Sequence, residues 1–217
     1  HLVNTDPPYN VRVEPRSNNA IAAGNSSFTN YHHQAMDLAR HPEKAKATHR
    51  KMRAKDRPLE NDFVSDEEFN RLLHAWFGQM ARVLLPGHAA YIWGGYANCA
   101  NYPPVLKAVG LYFSQAIIWD KEHPVLTRKD YMGAHEWCFY CWREGAAHRF
   151  FGPNNVPDLW HVKKVNPNKM VHLTEKPVEL AVRAMQYSSR ACENVLDLFG
   201  GSGSTLIAAE QTGRRAF

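Results

Sequence analysis

The segment Asn194–Phe199 reads as a strand that meets Gly200-Gly201-Ser202-Gly203 and continues as Ser204–Thr212, a helix-forming stretch stopped by Gly213. Strand, tight glycine turn and helix in that order define a βα unit, the building block of a parallel sheet whose crossovers pass over its faces. The same alternation recurs upstream. Leu2-Val3 reads as the end of a strand stopped by Pro7-Pro8. Ser65 and Glu68 form a capping box for a helix in which Phe69, Leu72, Leu73, Trp76, Phe77, Met80, Val83 and Leu84 recur at helical spacing until Pro86-Gly87. Ala89–Trp93 and Ser114–Trp119 read as strands and Tyr102–Gly110 as a helix. A further helix is expected from about Glu175, with Thr174 as N-cap and Pro177 in its first turn. The fold class is therefore α/β: a mostly parallel sheet with helices on both faces, binding its ligands beyond the carboxyl ends of the strands.

Composition limits the alternatives. The chain has 217 residues, 44% hydrophobic and 12% aromatic, enough for one globular domain over 1–217. No apolar run approaches the roughly 20 residues of a membrane span. The start has no signal-peptide pattern, so a soluble, cytoplasmic protein without a membrane partner is expected. The chain has no initiator Met, and Arg214-Arg215-Ala216-Phe217 stops where a new strand is starting, as in a domain cut from a longer chain. The formal charge is +5, concentrated in one place. Arg40, Lys44, Lys46, Arg50, Lys51, Arg53, Lys55 and Arg57 stand against Glu43 and Asp56, inside a polar insert over 12–62. That field attracts phosphates. Cys138 and Cys141 lie in the aromatic run Trp137–Trp142 and read as buried thiols; without a second ligand pair they suggest no metal, and none of the histidines has metal-ligand spacing. Residues 120–165 change character, and short strands such as Glu136–Trp142 look like an elaboration on the sheet.

Two motifs carry chemistry. The glycine turn lets a ligand approach the backbone, and the helix behind it favours a negative group. No Gly-Lys-Ser/Thr follows, which excludes a P-loop, and Leu206 stands where a dinucleotide motif needs glycine. A small zwitterion fits: the carboxylate of a methionine moiety on the N–H groups of the turn, its ammonium on Asp197. The second motif is Asp6-Pro7-Pro8-Tyr9. The Asp6 carboxylate and the Pro7 carbonyl suit the two N–H bonds of an aromatic amine. They push electron density onto a nitrogen whose lone pair is otherwise delocalised. Tyr9 offers a flat face for a flipped base.

With these motifs the chain resembles the β-class of DNA amino-methyltransferases, in which Asp-Pro-Pro-Tyr precedes Phe-x-Gly-x-Gly. The resemblance implies a Rossmann-like S-adenosylmethionine-dependent methyltransferase fold with permuted motif order. It implies Asp6, Pro7, Pro8 and Tyr9 as catalytic, and Asp197, Phe199, Gly200, Gly201, Ser202, Gly203 and Ser204 as binding S-adenosylmethionine. The stretch His172–Leu180 matches His-x-Thr-x-Lys-Pro-x-Glu-Leu, which implies a cofactor role for His172, Thr174, Lys176 and Pro177. Trp119-Asp120-Lys121, His135-Glu136 and Asp158-Leu159-Trp160 also resemble segments between the motifs. The partner implied is double-stranded DNA, gripped by the basic residues of 40–57, with 120–165 as a target-recognition elaboration. The likeness is close to phage and prophage enzymes fused to a ParB-like domain, and a homodimer is compatible with it. Two departures stand out: related enzymes carry an acidic residue for the cofactor ribose past Phe217, and the insert 12–62 follows Tyr9 directly, where the catalytic loop lies.

The expected reaction is methylation of adenine N6. N4 of cytosine uses the same geometry, but Asp rather than Ser before Pro-Pro favours adenine within the resemblance. A DNA-binding fragment that has lost catalysis, and methylation of RNA or protein, are the competing classes. Cytosine C5 methylation needs a Pro-Cys nucleophile, and the chain contains no Pro-Cys pair. Trp93 and Tyr96, at the end of a strand, are read as core residues before pocket residues.

Overall fold

The computed structural model describes residues 1–11, 62–125, 130–166, 170 and 174–217. In chain order these form β1 (Leu2–Thr5), α1 (Asp66–Val83), β2 (Ala89–Gly94), a 3-10 segment (Tyr96–Asn101), α2 (Tyr102–Ala108), β3 (Leu111–Val125), β4 (Gly133–Arg143), β5 (Leu159–His161), α3 (Val178–Ser188), β6 (Asn194–Leu196), α4 (Ser204–Thr212) and β7 (Arg215–Ala216). The strands form one sheet in the order β5-β3-β4-β2-β1-β6-β7. β1 pairs parallel with β2 and β6, β3 with β5, and β6 with β7; β4 is antiparallel to both its neighbours, β2 and β3. The sheet is thus mostly parallel, with one reversed strand inside it.

The period-2 alternation of the strands divides the core. Leu2, Tyr91, Trp93, Trp119, Cys138 and Tyr140 pack on one face against Leu180, Ala181, Ala184 and Met185 of α3 and Ala208 and Ala209 of α4. Val3, Ala90, Ile92, Phe139 and Cys141 pack on the other face against Phe69, Leu73, Phe77 and Met80 of α1 and Tyr102, Val105 and Leu106 of α2. Helices therefore cover both faces. Each buried aliphatic or aromatic side chain contributes roughly 1.5–3 kcal/mol, which fixes the strand register strongly. Cys138 and Cys141 are free and buried, and their spacing along a strand puts the thiols on opposite faces.

Several elements differ from their sequence reading. Glu136–Trp142 is no elaboration: β4 lies between β2 and β3, hydrogen-bonded on both sides. A strand covered on both faces is apolar at successive positions, so its run gives no alternation to read. The strand expected at Ser114–Trp119 spans Leu111–Val125. The helix expected from about Glu175 begins at Val178, with Pro177 as N-cap at φ −57° and ψ 135° and Thr174 outside it. A proline keeps the residue before it out of the helical region. The strand expected through Phe199 ends at Leu196, because the Asp197 carboxylate takes the Phe199 N–H at 3.0 Å and turns the chain. α1 is capped as expected by Ser65, whose Oγ accepts the Glu68 N–H at 3.2 Å, but the Glu68 carboxylate pairs with Arg71. No helix among the described residues is long and apolar enough to cross a membrane.

Candidate functional site

β1 and β6 lie side by side, Leu2 opposite Val195 and Val3 opposite Leu196. Their continuations, Asp6–Tyr9 and Asp197–Gly203, therefore leave the sheet at the same edge although about 190 residues separate them in the chain. Side chains tie the two ends together. The Thr5 hydroxyl donates to Asp197 Oδ1 at 2.8 Å and accepts the Leu198 N–H at 3.2 Å. The Asn4 amide donates to Thr205 Oγ1 at 3.0 Å. Between them opens a cavity of about 350 Å³, inside the roughly 300–1,000 Å³ range of small-molecule sites.

Asp6, Pro7, Pro8, Tyr9, Thr174, Lys176, Pro177, Asp197, Phe199, Gly200, Gly201, Ser202 and Ser204 all line this cavity. Gly203 shapes its wall: its N–H donates to the Gly200 carbonyl at 2.7 Å, and φ is +52° at Gly201 and +82° at Gly203. These are left-handed values that a side chain would strain. A Cβ added at Gly200 or Gly203 meets nothing within 4 Å, so the turn faces open space. Burial pushes the Asp197 carboxyl above the usual range, against the hydrogen bonds from Thr205, the Phe199 N–H and Thr5. Asn4, another lining residue, keeps its Oδ1 buried without a hydrogen-bond partner among the described residues. His172 and the basic residues Arg40, Lys44, Lys46, Arg50, Lys51, Arg53, Lys55 and Arg57 lie outside the described residues. The residues flanking 12–61 meet: the Val11 N–H donates to Asp62 Oδ1 at 3.2 Å, and the buried Asp62 lines the cavity.

The same cavity carries a charge cluster. Lys176 Nζ lies 2.5 Å from Asp6 Oδ2, 2.8 Å from the Tyr9 hydroxyl and 3.3 Å from Glu136 Oε2. The Tyr9 hydroxyl is 2.8 Å from Asp6 Oδ1 and 3.2 Å from Glu136 Oε2. Lys121 closes the cluster, its Nζ 2.7 Å from Glu136 Oε1. Two ammoniums face two carboxylates, and each buried charge is paired. Burial alone would raise the Glu136 carboxyl, but Lys176 and Lys121 hold it down at about 2. Burial works against the Lys176 ammonium, yet Asp6 and Glu136 keep it above the ordinary lysine range. Burial, then Asp6 and Glu136, push the Tyr9 phenol well above its ordinary value. Tyr9 packs on the backbone at Gly95, where a Cβ would come within 3.2 Å of its ring.

Glu136 and Lys121 were not assigned a role from sequence. The available signal was a carboxylate heading the apolar run of β4, on the same face as Cys138 and Tyr140. Trp93 is both core and wall: it lines the cavity and meets Trp119 edge-on at 6.1 Å. Tyr96 is exposed, its ring 6.1 Å from that of His135. Among the described residues no group of three or more histidines, cysteines or carboxylates is arranged to hold a metal ion.

Comparison with known proteins identifies the family and the fold. The family N6_N4_Mtase, described as DNA methylase, matches residues 1–217. The Type II methyltransferase M.HinfI of Haemophilus influenzae is 24% identical over 173 residues, 71% of this chain and 47% of that protein. The chain thus spans about half the length of that relative. The crystal structure of the M1.HpyAVI-SAM complex superposes with a TM-score of 0.60 at 24% identity, covering 70% of this chain and 76% of that one. PvuII DNA methyltransferase (cytosine-N4-specific) superposes with a TM-score of 0.61 at 14% identity, covering 99% and 72%. At these identities the superpositions establish the fold.

Proposed function

The chain belongs to the N6/N4 DNA methylase family, and from that premise we propose that it transfers a methyl group from S-adenosylmethionine to an exocyclic amine in double-stranded DNA, N6 of adenine. The observation that carries the reading is one cavity lined both by Asp6 and by the Gly200–Ser202 turn.

The glycine end fits the cofactor. The turn presents backbone to open space, Asn4 Oδ1 is a buried acceptor in the wall, and Asp197 is a carboxylate beside both. Gly200, Gly201 and Ser202 would hold a carboxylate through their N–H groups, and Asp197 an ammonium. When bound, the cofactor supplies a methyl group on a sulfonium, an electrophile that needs no metal. The chain's own residues supply the rest. Asp6 and the Pro7 carbonyl accept the N–H bonds of the amine and fix its direction. Proline holds that carbonyl rigidly. Tyr9 and Trp93 wall the space for a flat ring. Once the nitrogen carries the new bond it is cationic and gives up a proton readily, so Asp6 acts by orientation more than by basicity. The basic residues of 40–57 meet the phosphates; Val11 and Asp62, the described residues that flank this insert, are hydrogen-bonded to each other, and Asp62 lines the cavity. Residues 120–165 supply contacts toward the bases. The C-terminal part of β3 and the N-terminal part of β4 pair beyond the level of Gly94, where β2 stops.

Asp before Pro-Pro favours adenine over cytosine. Digestion of DNA from cells expressing the full-length protein, followed by mass spectrometry of the nucleosides, tests this. N6-methyladenine is expected. N4-methylcytosine would move the assignment to the other amine of the family, and the absence of both would contradict the proposed activity.

A further inference from the structure

Both carboxylate oxygens of Asp6 are engaged, Oδ2 with Lys176 at 2.5 Å and Oδ1 with the Tyr9 hydroxyl at 2.8 Å. Each oxygen keeps a second lone pair, but the ammonium at Oδ2 draws off the electron density that an amine N–H there would receive, so an amine docking on Oδ2 competes with Lys176. Tyr9 is held: its ring rests on the backbone at Gly95, and its carbonyl accepts the Asn98 side-chain N–H at 2.7 Å. Lys176 sits at the end of a flexible chain, but its side chain is only 8% exposed, so its ammonium needs a carboxylate wherever it goes. Glu136 Oε2 is 3.3 Å from that ammonium. Glu136 is itself anchored, because Lys121 holds its other oxygen at 2.7 Å. The Tyr9 and Trp93 rings lie 5.1 Å and 5.7 Å from the ammonium, so a short shift keeps it in cation–π contact.

We infer that Glu136 is a positioning residue for methyl transfer, taking over the Lys176 ammonium as the target amine docks and so releasing Asp6 Oδ2 to that amine. The inference rests on the proposed reading of the cavity as the site of base methylation. Glu136 also lines the cavity, but the role inferred for it is exerted through Lys176. No proton or charge is lost in the exchange: the ammonium changes carboxylates, and the amine N–H takes the place it leaves.

The test is methyl transfer from labelled S-adenosylmethionine to unmethylated genomic DNA by the full-length protein, with kcat and KM for both substrates. Glu136→Gln is expected to lower kcat by about 100-fold, the scale of a misplaced reacting group, with both KM values within about threefold of the parent. Adding Lys176→Met removes the ammonium that has to be held, and the double variant is expected to recover kcat at least about tenfold over Glu136→Gln. Thermal melting accompanies each variant. If Glu136→Gln does not fold, Glu136→Asp, whose carboxylate falls short of Lys176, replaces it with an expected loss of about tenfold in kcat alone. Parental kcat in the Glu136 variant, a loss confined to KM, or a double variant no faster than Glu136→Gln would each overturn the inference while leaving the methylation reading intact. A parent protein that transfers no label to DNA would overturn both.

Discussion

The two ends of the cavity are built on different principles. The glycine end comes from one continuous stretch, 196–205, whose turn offers backbone, and is tied to β1 by short bonds. The Asp6 end is made of charged side chains from four separate segments: Asp6 and Tyr9, Lys121, Glu136, and Lys176. A local turn places N–H groups without help from the rest of the chain. A buried charge cluster exists only when the whole sheet has assembled, since β4 must be threaded between β2 and β3 for Glu136 to reach Lys176. The first arrangement suits a constant ligand held by its ends. The second suits a group that has to be received and released.

The contrast is sharpest for the acidic residue at the charged end. Asp6→Ala is expected to reduce methyl transfer at least about 100-fold while cofactor affinity, measured by calorimetry, stays within about threefold. Glu136 still holds Lys176, so the fold survives. Equal losses of cofactor binding and transfer would mean the two ends are not separable.

The next effect comes from pH. The Glu136 carboxyl is held at about 2 in the folded chain against an ordinary 4.5. Its folded value lies below its unfolded value, so its contribution is present above about pH 4.5 and is lost as the pH falls toward 2. Roughly 2–3 kcal/mol of stability should go across that window, the usual size for one paired carboxylate. Denaturant melts at pH 5 and pH 3 capture about half of it, and Glu136→Gln should flatten the dependence. An unchanged slope in that variant would place the acid sensitivity elsewhere.

The smallest effect belongs to the glycine end. Gly201 has φ +52°, where a β-branched side chain costs about 1–2 kcal/mol. Gly201→Val should weaken cofactor binding by about tenfold or more and leave DNA affinity in filter binding unaltered. If DNA affinity fell and cofactor affinity held, the assignments of the two ends would be reversed.

How much of this could be read in the sequence follows the same division. The turn at Gly200–Gly203, the helix Ser204–Thr212 and the strand-end position of Asp6 depend on residues near one another in the chain, and all three lie where the pattern put them. The face-to-face packing of α1 was legible from the spacing of Phe69, Leu73, Phe77 and Met80. β4 was legible as a strand at Glu136–Trp142 but not in its place: between two strands and under two helical layers its residues are apolar on both faces, which reads as an elaboration and not as an inner strand. With β4 misplaced, nothing brought Glu136 near Asp6. The start of α3 was also misjudged, because Pro177 acts on the residue before it, and that error hid the free approach of the Lys176 side chain to Asp6.

The central claim is spatial, and crystallography of the full-length protein with S-adenosylmethionine bound tests it most directly. The account predicts the methionine carboxylate on the Gly200–Ser202 turn, its ammonium toward Asp197, and the methyl group directed along the cavity to Asp6. Cofactor density outside this cavity, or a methyl group directed away from Asp6, would contradict it.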